Sequence, residues 1–428
     1  MTSGPGAAGE GREELDLVYV LVDPEFALDN SPVFQSQILD WVRLQRQGGL
    51  RVGIVCSVAD AGRFERLVAV TLREHGVPYV TFPDGSLRQN LARGARLLRR
   101  FVREHRAGHV YARGIWGAYA HWLAFPLGGP PLAYDFRGDL VAEAEMRGAS
   151  PLRQAVLRAL CRGAFARAST LLCVSTPAAE ILASEYGKPG AVVIPSGVDA
   201  DWFRGFQERR REIRETLGVG ERDVLLVYAG GLNPYQMLPE MLRVWNGLKE
   251  LPNVRFLLLL ARQQPTAGER PELTGASEIP GLVTLSVPRH EVPGYLAAAD
   301  VGFLLRQEHP LNRVASPVKF GEYLSSGLAI VASPGIGDIS RIVEEHDLGI
   351  LVRPGDTESA VSACARLVAR VRDEREAFRR RALDAVIREK WDWKAHLGLW
   401  KGIIAPGRGA GPARQSPAQR SAVSPEAV

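Results

Sequence analysis

The chain has 428 residues, 46% hydrophobic and 24% charged, which suits a globular protein of two domains of roughly 150–200 residues each. Its four cysteines, Cys56, Cys161, Cys173 and Cys364, lie far apart in apolar contexts, so a disulfide framework or zinc site is not expected and a reducing compartment is. The net charge of +5 is too small and dispersed to argue for nucleic acid, and is compatible with anionic small molecules or an anionic lipid surface.

Residues 1–13 are polar and glycine-rich, without the features of a signal peptide, and are expected to be disordered. No run approaches about 18 uninterrupted apolar residues, so the expected location is cytoplasmic. Short apolar, β-branched runs then alternate with helix-length stretches. Strands are predicted at 15–21, 51–57, 78–82, 109–113, 132–136, 171–175 and 191–195. A second set is predicted at 224–229, 255–260, 282–287, 301–306, 328–333 and 349–353. Nearly continuous apolar strands separated by helices predict parallel sheets covered on both faces, in an α/β doubly wound architecture. Two sets predict two such domains, 14–204 and 205–385, followed by a closing helix over 386–405 and a Pro-, Gly- and Ala-rich disordered tail over 406–428.

Ligands of doubly wound sheets sit beyond the carboxyl ends of the strands, where helix N-termini present unpaired N–H groups. The segment SPVKFGEYLSSGLAIVASPGIGD (316–338) fits that place. Ser316 is the predicted N-cap, Pro317 the first helical residue and Gly327 the stop. Lys319 then lies in the first turn, where a cation opposes the helix dipole unless an anion is bound. Glu322 shares its helix face and is suited to accept hydrogen bonds from ribose hydroxyls, the alternative being an intrahelical Lys319–Glu322 pair. Two glycine turns are further candidates: AGGLNPYQ (229–236), with Gly230, Gly231, Asn233 and Gln236, and SPGIGD (333–338), where Asp338 could bond a hydroxyl.

The segments VSTPAAEIL (174–182), PSGVDADWF (195–203), YAGGLNP (228–234), VPGYLAAADVGFLL (292–305) and PVKFGEYLSSGLAIVAS (317–333) occur in an order that resembles the group-1, or family 4, glycosyltransferases. The resemblance implies the GT-B fold of two facing Rossmann-like domains. It also implies transfer of a hexosyl group from a nucleoside-diphosphate sugar to a hydroxyl of a saccharide or lipid-linked acceptor, with retention; no acidic pair of metal-binding type stands beside the segment 316–338, so neither a metal ion nor another cofactor is expected. Glu322 looks like the second glutamate of the family's Glu-x7-Glu motif. The first would fall at Val314, and the family's usual Arg and Lys contacts fall at Gly231 and Gln236. A branch with SP-x-K-x-x-EYL resembles this chain more, and there Lys319, with Arg313, would supply the missing charge.

In the first half the resemblance is weaker. Ser31, Gln35 and Ser36 stand where cleft contacts could form. Asp135 is at the position where relatives carry a cleft His or Asp, with Arg137, Gly138 and Arg113 beside it. For Asp135 a turn-capping role is the alternative to a catalytic one, and Arg113 reads equally as a solvated strand end. Two arginine-rich stretches, 86–106 and 151–169, fit either peripheral contact with an anionic membrane or amphipathic helices packed on a sheet with solvated arginines. Competing readings of the whole chain are a nucleotide-sugar 2-epimerase, a sugar-binding protein, and a catalytically degenerate nucleotide-sugar-binding protein.

Overall fold

The structure is a computed structural model that describes residues 13–22, 34–260 and 281–404. Ser31 lies outside the described residues. All thirteen predicted strands form, within one or two residues at most of their ends. In the first half they are β1 (Leu17–Leu21), β2 (Val52–Val58), β3 (Tyr79–Pro83), β4 (His109–Arg113), β5 (Leu132–Phe136), β6 (Thr170–Cys173) and β7 (Val192–Val193). The second half contributes β8 (Val224–Gly230), β9 (Val254–Leu260), β10 (Leu282–Leu285), β11 (Val301–Leu304), β12 (Ala329–Ala332) and β13 (Gly349–Leu351).

The strands form two parallel sheets, in the orders β3-β2-β1-β4-β5-β6-β7 and β10-β9-β8-β11-β12-β13. Each order reverses direction at its centre, between β1 and β4 and between β8 and β11. Such a reversal opens a crevice at the carboxyl edge of an open α/β sheet. Both faces of each sheet are apolar because both are covered. Leu98, Phe101, Ala118 and Phe165 cover one side of the first sheet, and Trp41, Phe64 and Trp400 the other.

The helix Val318–Ser325 begins one or two residues later than predicted. Pro317 occupies the N-cap with ψ 125° and no side chain caps it. The hydroxyl of Ser316 is engaged elsewhere, accepting the Ser196 N–H at 2.9 Å. The stop is as expected: Gly327 has φ +81°, and the N–H groups of Gly327 and Leu328 return to Leu324 and Tyr323, a Schellman closure.

The C-terminal stretch 386–405 is broken, not one helix. A long helix, Thr357–Arg388, ends where Lys390 takes φ +54°, and helix resumes as a 3-10 turn over Trp393–His396 that runs into the α-helix Leu397–Ile404. Between them Val198 and Asp392 form a parallel bridge. Trp393 stacks on Trp41 at 4.7 Å and Trp400 lies 5.5 Å from Tyr111, so the chain's end packs against the first sheet.

Candidate active site

The crevice of the second sheet gathers the charged residues of the site. β8 ends at Gly230, where a Cβ would overlap the Lys319 side chain; the missing side chain is what lets Lys319 lie across the strand end. Its ammonium donates to Gln236 Oε1 and stands 5.1 Å from the Tyr228 ring centroid. The Tyr228 hydroxyl, with one proton to donate, lies 2.6 Å from the same Gln236 oxygen and 2.5 Å from the Gly231 carbonyl. Gln236 is buried, fixed at the end of the turn Pro234–Gln236, whereas Asn233 is exposed and donates only to Tyr235, at 3.3 Å.

Arg306 enters the same place from just beyond β11. Its backbone N–H donates to Ser333 Oγ at 2.9 Å, its guanidinium lies 4.7 Å from the Tyr235 ring centroid, and its buried Nε has no hydrogen-bond partner among the described residues. Burial, then the neighbouring Arg306, holds Lys319 well below the usual lysine range, with Glu322 opposing. Two cations thus share a crevice in which a neutral glutamine is the oxygen that Lys319 reaches. Sequence reasoning missed Arg306, whose only available signal was its place at the end of a predicted strand. Arg313 is exposed, on the short helix Pro310–Arg313.

Glu322 is half-buried and, among the described residues, its carboxylate receives no hydrogen bond and makes no ion pair, so the intrahelical Lys319–Glu322 pair does not form. Burial pushes its carboxyl above the ordinary range, while Arg289 and Lys319 pull it down. Arg289 pairs with Asp40 of the first half and lies 5.1 Å from the Trp202 ring centroid. This bridge across the halves was also missed, because its two residues are 249 positions apart.

The Val314 side chain is fully buried in the apolar cluster of the first sheet, and its carbonyl accepts the Ser175 hydroxyl at 2.9 Å. The position that would carry the first motif glutamate is thus a plug between the halves. Asp338 is similarly engaged: its Oδ2 accepts the Thr176 N–H at 2.9 Å, which explains a carboxylate there without a ligand. Gly337 has φ +44°, and a Cβ would collide with the Ala315 carbonyl.

In the first half, Asp135 is buried and its Oδ2 accepts both the Tyr111 hydroxyl and Arg137 Nε, the latter at 2.5 Å. Arg137 also donates to Gln37 Oε1 and Ser196 Oγ, both at 3.2 Å, and stands 5.8 Å from the Trp393 ring centroid. Arg113 donates to the Gln37 carbonyl at 3.5 Å. Burial, followed by Arg137, lowers it to about 10. Gly138 is half-buried and precedes Asp139, which caps the helix Leu140–Met146. Gln35 and Ser36 lie in the π-helical turn Gln35–Leu39, with Ser36 buried. The two groups of residues are linked by a hydrogen-bond path: Arg137 bonds the Ser196 hydroxyl and Ser196 N–H bonds Ser316, two positions before the Lys319 helix.

Two facing parallel sheets, with cations at the switch point of one and a fixed arginine at the carboxyl edge of the other, define a GT-B protein. Comparison with known proteins narrows this. Residues 35–202 match Glycosyltransferase Family 4 and residues 223–370 match Glycosyl transferases group 1; the chain belongs to this glycosyltransferase family. TuaC of Bacillus subtilis, named as a teichuronic acid biosynthesis glycosyltransferase on a provisional basis, is 27% identical over 174 residues, 41% of this chain and 40% of TuaC. The chain thus aligns with less than half of that relative's length. Among solved structures, a glycosyltransferase from Rickettsia africae superposes with TM-score 0.67 at 13% identity, covering 93% of this chain and all of the other. HepE of Anabaena, in complex with UDP and glucose, gives TM-score 0.61 at 18% identity over 91% of this chain and 97% of its own. At these identities the likeness shows the shared fold.

Proposed function

We propose that this protein transfers a sugar from a nucleoside-diphosphate sugar to a hydroxyl of a saccharide or lipid-linked acceptor at a membrane, in polysaccharide or glycoconjugate synthesis. The observation that carries this reading is the uncompensated pair Lys319 and Arg306 at the β8/β11 crevice. A desolvated lysine held below its usual range and a buried guanidinium nitrogen without a partner are what a bound diphosphate would stabilise. The HepE complex with UDP and glucose and the name of TuaC support a UDP-sugar donor and a polysaccharide product by analogy.

In this reaction the bond from the anomeric carbon to the oxygen bridging it to the β-phosphate breaks. The acceptor oxygen bonds to that carbon on the face the diphosphate leaves, giving retention, and the acceptor proton passes to the released diphosphate. Charge growing on the bridging oxygen meets Lys319 and Arg306, already in place, so the chemistry needs no metal ion. Glu322, with free acceptor oxygens, takes the ribose hydroxyls. Asp135, with Tyr111 and Arg137 on one oxygen, holds Arg137 at the acceptor side of the cleft.

The test is a thermal-shift screen against UDP-, GDP-, ADP- and TDP-sugars, followed by turnover with a retained or inverted anomer read by NMR, in the presence of EDTA. Absence of a shift with every series would overturn the reading. A shift without turnover on any acceptor would favour the nucleotide-sugar-binding alternative, and loss of turnover in EDTA would remove the metal-free step.

A further inference from the structure

We infer that the outer face of the helices Leu87–Glu104, Ile115–Ala124 and Pro151–Arg167 docks on an anionic phospholipid bilayer, an inference that rests on the membrane acceptor proposed above and gives it a surface. The three helices form one layer on the first sheet. Leu87–Glu104 packs along Ile115–Ala124, which packs on Pro151–Arg167. Tyr119 donates its hydroxyl to the Leu160 carbonyl at 3.1 Å, and Arg167 lies 5.2 Å from the Trp122 ring centroid while donating to the Phe125 carbonyl at 3.3 Å.

Charge is concentrated on this layer. Leu87–Glu104 carries six arginines and Pro151–Arg167 four, against the single acid Glu104, which is paired with Arg100 at 2.7 Å. The layer's net charge is +9 in a chain of +5, so everything else sums to −4. The arginines of the first helix point outward because Gly94, Leu98, Phe101 and Val102 take its inner face.

The same face exposes apolar side chains that a solvated amphipathic helix would keep inside. Leu152 and Val156 are 77% and 52% exposed, and Leu123 and Leu127 are 57% and 101% exposed. Ala155 and Ala159 extend the Leu152–Val156 stripe at helical spacing and are exposed too. Arginines flanking leucines and a tryptophan suit a layer where anionic headgroups meet acyl chains. A second copy of this chain would set ten arginines against ten, and a nucleic acid would leave the leucines in water. The adjoining helix Leu140–Met146 contacts both Pro151–Arg167 and Pro310–Arg313, the latter ending just before Ser316, so this layer lies beside the candidate site. An acceptor standing in the bilayer is thereby brought to the cleft mouth.

The experiment is flotation of the full chain with phosphatidylcholine vesicles, with and without phosphatidylglycerol, at low and high salt. The expected result is binding to the mixed vesicles alone, weakened by salt. Arg96→Glu with Arg99→Glu, and separately Leu152→Ser with Val156→Ser, should each cut binding about tenfold or more, since each arginine near an anionic surface is worth about 1 kcal/mol and each leucine more than one buried CH2. These positions are exposed, so the thermal shift with the donor nucleotide should match that of the parent chain; this readout separates failure of docking from failure of the glycosyl-transfer reading. Absence of flotation at low salt, equal flotation with phosphatidylcholine alone, undiminished binding in either variant, or a dimer dissociated by these substitutions would each overturn the inference.

Discussion

The ammonium of Lys319 donates to the side-chain oxygen of Gln236, so the cation of this crevice arrives from a helix 83 residues away from the turn that follows β8. The resemblance to group-1 glycosyltransferases places a basic residue at Gln236; here that position is neutral and supplies an acceptor that steers Lys319 over Gly230. Lys319→Ala is expected to weaken nucleoside-diphosphate binding by about 2 kcal/mol, the scale of a charged hydrogen bond, measured by calorimetry. Adding Gln236→Lys to that variant should recover much of the loss, because the charge returns to the same crevice from the turn. Unchanged affinity in Lys319→Ala would remove Lys319 from the site.

Donor affinity should depend on pH with a definite sign. Burial and Arg306 hold Lys319 low in the free protein, and a diphosphate favours the charged form. Binding therefore takes up a proton between the free and the bound pKa, and affinity is full below the free value and falls as pH rises through that window. Glu322 acts at the other end: burial raises its pKa, and its ionised form is the better acceptor for ribose hydroxyls. Affinity should therefore also fall as pH drops through that raised value. Calorimetry in buffers of different ionisation enthalpy measures the proton uptake directly; release on the alkaline side would contradict the assignment of Lys319.

The β-strands were legible because each is an apolar run bounded by polar or glycine breaks, and two such sets sufficed for two doubly wound sheets. That Lys319 and Glu322 share one short helix was legible too, since its spacing is readable. Residues whose partners come from elsewhere were not. Ser316 reads as an N-cap, yet its hydroxyl meets Ser196 across the halves. Val314 reads as a lost glutamate, and only the fold shows it buried with the first sheet's core. Arg306 carries no signal beyond its place at a predicted strand end, and the Arg289–Asp40 bridge carries no local pattern at all.

Glu322→Gln keeps the shape of the side chain but removes the charge that makes it a strong acceptor. It is expected to weaken binding of a nucleoside diphosphate by about 1.5–3 kcal/mol, the range for hydrogen bonds to charged groups. The loss should vanish with a 2′,3′-dideoxy nucleotide, for which the parent and the variant bind alike. A loss of equal size with the dideoxy ligand would place Glu322 away from the ribose.

Trp393→Ala tests how the C-terminal return supports the first half. Trp393 is fully buried, stacked on Trp41 at 23° between planes, and its backbone N–H donates to the Val198 carbonyl at 3.0 Å. Truncation of such a side chain costs about 3–5 kcal/mol, so the thermal midpoint should drop clearly while the Val198–Asp392 backbone bridge can persist. Arg137 loses the ring beside it and with it part of the packing that aims its guanidinium at Gln37 and Ser196. Kinetics should therefore show a raised KM for the acceptor, with donor affinity held near the parent value because Lys319, Gln236 and Arg306 stand on the second sheet. Equal losses in donor and acceptor binding would mean that Trp393 serves the stability of both halves and has no selective hold on Arg137.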